Sequence, residues 1–166
     1  MTQESIKFLK FQNPTRGELL FAEVLSEIVE FMRAEPQAQY RVMIGSDSNG
    51  FGLLDVVSVV AIHRVGNGGR YFWRRIELDP FHTLRDRIWQ EVLISLDVAK
   101  EFITHLQGDH VPKFDFEIHI DVGENGATRT MIQELVGMVC ANNFEARTKP
   151  FSCAASNVAD RHVKAH

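Results

Sequence analysis

The chain has 166 residues, a formal net charge of −4, 45% hydrophobic residues and 24% charged residues. This composition fits one globular domain spanning residues 1–166 and excludes disordered and fibrous proteins. No run approaches the roughly 20 apolar residues needed to cross a bilayer, and Met1–Phe11 lacks the apolar segment of a signal peptide. We therefore expect a cytoplasmic protein without a membrane partner.

The charge and the cysteines refine this expectation. Because the protein is acidic overall, a nucleic-acid partner would have to be held by a local basic surface or through metal ions. The two cysteines, Cys140 and Cys153, have no zinc-ligand spacing. We expect both to be buried free thiols, in agreement with a reducing compartment.

The first 38 residues are predicted to form an extension with one helix, and residues 39–166 the core. Thr15 and Glu18 have the spacing of a capping box, and an apolar stripe follows with helical period. The sequence therefore predicts a helix over Thr15–Met32 that ends before Pro36.

Three strands are predicted at the start of the core, in apolar and β-branched runs joined by glycine-containing turns. Short turns between consecutive strands indicate antiparallel pairing. The three segments are Tyr40–Ser46, Leu53–His63 and Arg70–Leu78.

The rest of the chain alternates between helix and strand, which is typical of an α/β fold with a mixed sheet. Thr83 is the expected N-cap of a long helix that reaches about Leu106. The later elements are a strand over Phe114–Asp121, a helix opening at Asn125-Gly126, a short strand over Phe144–Thr148 and a final helix over Ala154–Lys164.

Four acidic residues occupy positions that suggest a shared site. Asp47 and Asp121 end predicted strands, and Asp160 lies in the final helix. Glu91 falls at the edge of the apolar stripe of the long helix, where a carboxylate costs free energy unless it is paired or bound to metal. Carboxylates that converge from separate elements are the ligands of two-metal phosphoryl chemistry.

Each acid also has an ordinary structural explanation, and only the combination favours a site. The ordinary explanations are a turn for Asp47, pairing with Arg87 for Glu91, a turn before a helix for Asp121 and an ion pair with Lys164 for Asp160.

The order strand-end Asp, mid-helix Glu, strand-end Asp, final-helix Asp resembles the RNase H superfamily. The amino-acid sequence is also similar to that of a family of uncharacterised bacterial RNase H-like proteins, over most of residues 40–164. The matching segments are residues 45–48, 63–64, 68–72, 84–85, 91–92, 121–126, 149–150 and 158–162.

The resemblance implies an RNase H-like α/β fold with a five-stranded mixed sheet, its first three strands antiparallel, flanked by helices. The helix before the first core strand would be an addition to that fold. The resemblance also implies two Mg²⁺ or Mn²⁺ ions and hydrolysis of a phosphodiester. Asp47 would bridge the ions, with Glu91 and Asp121 completing one site and Asp160 the other.

A local basic and aromatic region suggests contacts to nucleic acid, either RNA, DNA or a hybrid. The candidate phosphate contacts are Arg70, Arg74, Arg85 and Lys149, and His162 is a candidate proton shuttle. The same arginines would equally suit an exposed hairpin whose charges provide solubility.

Three functions remain open from the sequence. The first is a metal-dependent nuclease. The second is a catalytically inactive module that binds nucleic acid or protein, and the third is a phosphohydrolase acting on a small substrate.

Overall fold

The computed structural model describes residues 9–48, 54–79, 82–108, 110–152, 158, 159, 161 and 162. These residues form seven strands and three α-helices, with a 3₁₀ turn at Arg129–Met131 before the third helix. In chain order they are β1 (Lys10–Asn13), β2 (Gly17–Leu20), α1 (Phe21–Arg33), β3 (Tyr40–Ser48), β4 (Leu54–Arg64), β5 (Gly69–Leu78), α2 (Leu84–His105), β6 (Phe114–His119), α3 (Ile132–Ala141) and β7 (Glu145–Arg147).

The strands form one mixed sheet in the order β2-β1-β5-β4-β3-β6-β7. β3, β4 and β5 pair antiparallel, β6 runs parallel to β3, and β7 runs parallel to β6. The predicted mixed α/β sheet with three leading antiparallel core strands is confirmed. The predicted number of five strands is wrong, because the β1–β2 hairpin adds two strands at the β5 edge through Gln12 and Trp73.

The first helix begins at Phe21, so its predicted start at Thr15 is wrong. The Asn13 side chain accepts hydrogen bonds from the backbone N–H groups of Thr15 and Arg16, at 2.9 Å each, and so forms a turn. β2 follows this turn. The capping interaction lies five residues later than predicted: the N–H of Leu20 donates to Glu23 Oε2 at 2.6 Å.

The two faces of the sheet are covered differently. α1, α2 and α3 pack on one face, which we call the helical face, and form the larger core with strand residues such as Val42, Ile44 and Ile118. On the opposite face, Val158 and Ala159 pack near Met43, and we call this the C-terminal face. β3 lies between two covered faces, which explains the continuous apolar run from Val42 to Ile44 at its centre.

The predicted long helix is confirmed at its N-terminus by its cap. Thr83 Oγ1 accepts a hydrogen bond from the Asp86 N–H at 3.0 Å, and α2 then extends to His105. No helix in the described part of the chain combines the length and apolarity required to cross a membrane.

The prediction that Cys140 is buried is wrong. α3 buries Leu135 and Val139, and Cys140 is one position further round the helix, where it is exposed. Cys153 lies outside the described residues. Most of the predicted final helix does as well, although the backbone at residues 158, 159, 161 and 162 is helical.

Phe102 joins the N-terminal hairpin and α1 to the core. Its ring is fully buried and makes edge-to-face contacts with Phe11 and Phe21, at centroid distances of 5.9 and 4.8 Å. We expect Phe102→Ala to lower the free energy of unfolding by about 3–5 kcal/mol, measured by urea denaturation. Leu93→Ala is the matched control, because Leu93 is 42% exposed on the same helix; its effect should stay within about 0.5 kcal/mol. Equal effects of the two substitutions would contradict this description of the core.

Candidate active site

Asp47 and Asp121 lie at the same level of two neighbouring parallel strands. The pairing of β3 with β6 reaches Gly45 and His119, and each aspartate follows two residues later. Because side chains alternate with a period of two and neighbouring strands are about 4.8 Å apart, both aspartates occupy the C-terminal face side by side. Ile120 and Val122 belong to the core of the helical face, which confirms that Asp121 points the other way.

Glu91 approaches the same end of β3 from α2, and its side chain is buried. The residue is 4% exposed. Ser48 Oγ donates a hydrogen bond of 2.6 Å to Glu91 Oε1, and Arg87 Nε lies 3.8 Å from the same oxygen. The pairing with Arg87 that the sequence left open is therefore present, but the closer partner is Ser48.

The charges of Asp47 and Asp121 act on Glu91. Burial raises the pKa of Glu91 to about 8, and the negative charges of Asp47 and Asp121 raise it as well. The hydrogen bond from Ser48 and the positive charge of Arg87 act in the opposite direction. The structure therefore brings three of the four predicted acids into one electrostatic site. Asp160, the fourth, lies outside the described residues.

The three acids do not form a ready-made cage for a metal ion. Within the described ranges, no three His, Cys, Asp or Glu side chains are close enough together to hold an ion. Glu91 is directed at Ser48, and Asp121 Oδ1 lies 2.7 Å from Lys149 Nζ. The oxygen donors nevertheless suit a hard divalent cation, whose charge would offset the burial and the repulsion that raise the pKa of Glu91.

Of the residues predicted to contact phosphate, one pairs with an acid of the site and the others lie elsewhere on the fold. Lys149 is in the site, through Asp121. Arg74 lies on the helical face opposite Ser58, two strands from β3, and burial lowers its pKa. Arg85 binds Glu134 on α3 at 2.6 Å.

Arg70 lies away from the acids. It forms an ion pair with Glu27 of α1, and its guanidinium lies 5.1 Å from the centroid of the Phe31 ring. The structure therefore places this arginine on the α1 side of the sheet, where it contacts helix residues.

His162 packs on β5, two strands from β3. Its ring stacks on Trp73 with a centroid distance of 4.1 Å, and its backbone oxygen accepts a hydrogen bond of 2.8 Å from Arg75. Burial lowers the pKa of His162, and the charges of Arg75 and Arg161 lower it further. Trp73 is level with Gly45, one step along the strand from the level of Asp47 and Arg75. The role of His162 as a proton shuttle stays a prediction.

Sequence reasoning missed Ser48, which holds Glu91. The sequence pattern that could have revealed it is the pair of serines, Ser46 and Ser48, at alternate positions of a buried strand. Both serines face α2, and Ser46 Oγ accepts a hydrogen bond of 2.9 Å from Ser95 Oγ. Two hydroxyls at alternate positions of a buried strand indicate a polar contact with the element packed on that face.

The family model described as "Ribonuclease H-like" matches residues 23–164. The chain belongs to the ribonuclease H-like family. A relative in Bacillus subtilis (strain 168), the "Uncharacterized protein YkuK", is 29% identical over 166 residues, covering 93% of this chain and 96% of its own length. No solved structure matches the chain significantly. The family match includes all but the first two residues of α1.

The raised pKa of Glu91 predicts that Glu91→Gln stabilises the protein at neutral and alkaline pH. Between pH 4.5 and about 8 the unfolded chain releases a proton that the folded carboxyl retains. In this range the wild type loses up to about 1.4 kcal/mol per pH unit relative to the variant, and the difference is constant above pH 8. Urea denaturation at several pH values in EDTA measures the difference.

Asp97→Asn is the control for this experiment, because Asp97 is an exposed acid on the same helix. It should change the stability by less than about 0.5 kcal/mol. A stability difference between wild type and Glu91→Gln that is the same at pH 5 and pH 8 would contradict the buried, protonated state of Glu91.

Proposed function

We propose that the protein is a nuclease that hydrolyses phosphodiester bonds with Mg²⁺ or Mn²⁺ held by Asp47, Glu91 and Asp121. The observation that carries the proposal is the electrostatic coupling of these three acids at one end of β3. Membership of the ribonuclease H-like family supports it. Asp160 is proposed as the ligand that completes a second ion site.

The protein residues would have separate tasks. Asp47 and Asp121 offer carboxylates from adjacent strands, and Glu91 adds a third when it releases its proton. Bound divalent ions would supply an activated water and stabilise the leaving oxygen. Lys149, now 2.7 Å from Asp121, is placed to pair with a substrate phosphate once an ion occupies the acids.

A second candidate is a binding module without turnover. The observation that favours it is that protein groups already satisfy two of the acids: Lys149 pairs with Asp121, and Ser48 donates to Glu91. In a catalytically inactive member of the family, such internal partners would replace the ions permanently.

Asp47→Asn and Asp121→Asn are each expected to reduce metal-dependent cleavage by at least about 100-fold, because each removes a charged ligand. The assay uses labelled single-stranded, duplex, RNA–DNA hybrid and branched substrates with Mg²⁺ or Mn²⁺, and a small phosphate ester as a separate arm. Asp115→Asn is the matched control, because Asp115 is exposed on the same strand that precedes Asp121. It should retain full activity.

Three results would separate the candidates. Wild-type cleavage that Asp47→Asn leaves unchanged would reject the nuclease and point to a contaminant. Absence of cleavage, together with nucleic-acid binding that EDTA does not alter, would favour the binding module. Turnover of the phosphate ester alone, lost in Asp47→Asn, would instead identify a small-substrate phosphohydrolase.

A further inference from the structure

A cavity of about 380 Å³ opens on the C-terminal face of the sheet. Its floor is a cross-strand row of three side chains, because Met43 pairs with Ala61 and Ala61 pairs with Tyr71. Val158 and Phe151 contribute to its walls. Met43 precedes Asp47 by four residues on β3, so the cavity lies on the same face as the acids and about 13 Å from them.

One side of the cavity carries buried charges. Glu117 and His119 line it and are 3% and 4% exposed. Glu117 lies 3.3 Å from Arg41, 3.3 Å from Arg147 and 3.2 Å from His119 Nε2. Arg147 also pairs with Glu145 at 2.6 Å, so this arginine has a carboxylate of its own. Arg41 contacts Glu117 through Nε, and its side chain is 41% exposed at the cavity. The guanidinium of Arg41 has further N–H donors that can bind an anionic ligand.

The other side of the cavity is aromatic. Phe151 is 77% exposed, the highest value among the exposed large hydrophobic residues that the structure describes. Exposure of a phenylalanine costs free energy that burial against a ligand would recover. Tyr71 provides a second ring in the cavity wall. Aromatic rings beside an arginine are the combination that binds a base and its phosphate.

We propose that this cavity binds a nucleotide, with the base against Phe151 and Tyr71 and a phosphate at Arg41. Where the nucleotide is part of a strand, the inference rests on the proposed function. A single strand lying along the C-terminal face would then place one base in the cavity and a phosphodiester at Asp47 and Asp121. The alternative source of the same chemistry is a free nucleotide.

Fluorescence anisotropy tests the cavity without relying on cleavage. The probe is a labelled single-stranded octamer of uridine, titrated with protein carrying Asp47→Asn in EDTA, so that no cutting occurs. Unlabelled AMP, GMP, CMP, UMP and inorganic phosphate serve as competitors. Phe151→Ala in this background is expected to weaken binding of the octamer roughly 10-fold, because one stacked base is lost.

Two variants control for effects on the fold. Phe151→Trp keeps an aromatic ring and should bind at least as tightly as the parent protein. Leu93→Ala removes an exposed apolar side chain of α2 that does not line the cavity, and should leave binding unchanged.

The competitors distinguish the two sources of the ligand. Octamer binding at least 10-fold tighter than that of any mononucleotide supports a strand, and equal affinities support a free nucleotide. The proposal is overturned if neither probe binds, if inorganic phosphate competes as well as the nucleotides, or if Phe151→Ala binds like Phe151→Trp. Failure of the nuclease alone would leave the Phe151-dependent binding intact, so the two proposals fail separately.

Discussion

The hydrogen bond from Ser48 to the buried carboxyl group of Glu91 is the contact on which the candidate site depends. It fixes α2 over the end of β3, together with the neighbouring bond between Ser95 and Ser46. Without it, a buried acid would have Arg87 at 3.8 Å as its closest described partner. The same contact brings Glu91 within electrostatic range of Asp47 and Asp121, so one interaction serves both the packing of the helix and the geometry of the acids.

The buried carboxyl group of Glu91 is expected to lower the stability of the fold above the pH at which the unfolded chain ionises. A glutamine at position 91 would keep an oxygen for Ser48 and would not ionise. A carboxyl group retained among two other acids at a core position is a local conflict, and such conflicts are concentrated at functional sites. Lys149 pairs with Asp121, the outer member of the group, where both side chains are partly exposed. Glu91 is the buried member, and a bound cation would offset the cost of ionising it there.

The sequence was most informative where residues act through local rules. The cap at Thr83 predicted the start of α2, and the position of Glu91 at the edge of an apolar stripe predicted its unusual environment. The β1–β2 hairpin was not predictable in the same way, because Asn13 forms its turn with a side chain and β1 joins the sheet through Trp73, 61 positions after Gln12. Ser48 acquires its role only through the distant residue Glu91.

The proposed function requires a protein of net negative charge to bind an anionic substrate, and the two faces of β3 would contribute to this differently. On the helical face, the polar contacts of Ser46 and Ser48 are used to position Glu91. On the C-terminal face, the row that contains Met43 begins with Glu117 and its two arginines, and two steps further along the strands lie Asp47 and Asp121. Under the proposed function, the phosphates of a ligand on this face would reach Asp47 and Asp121 through a cation.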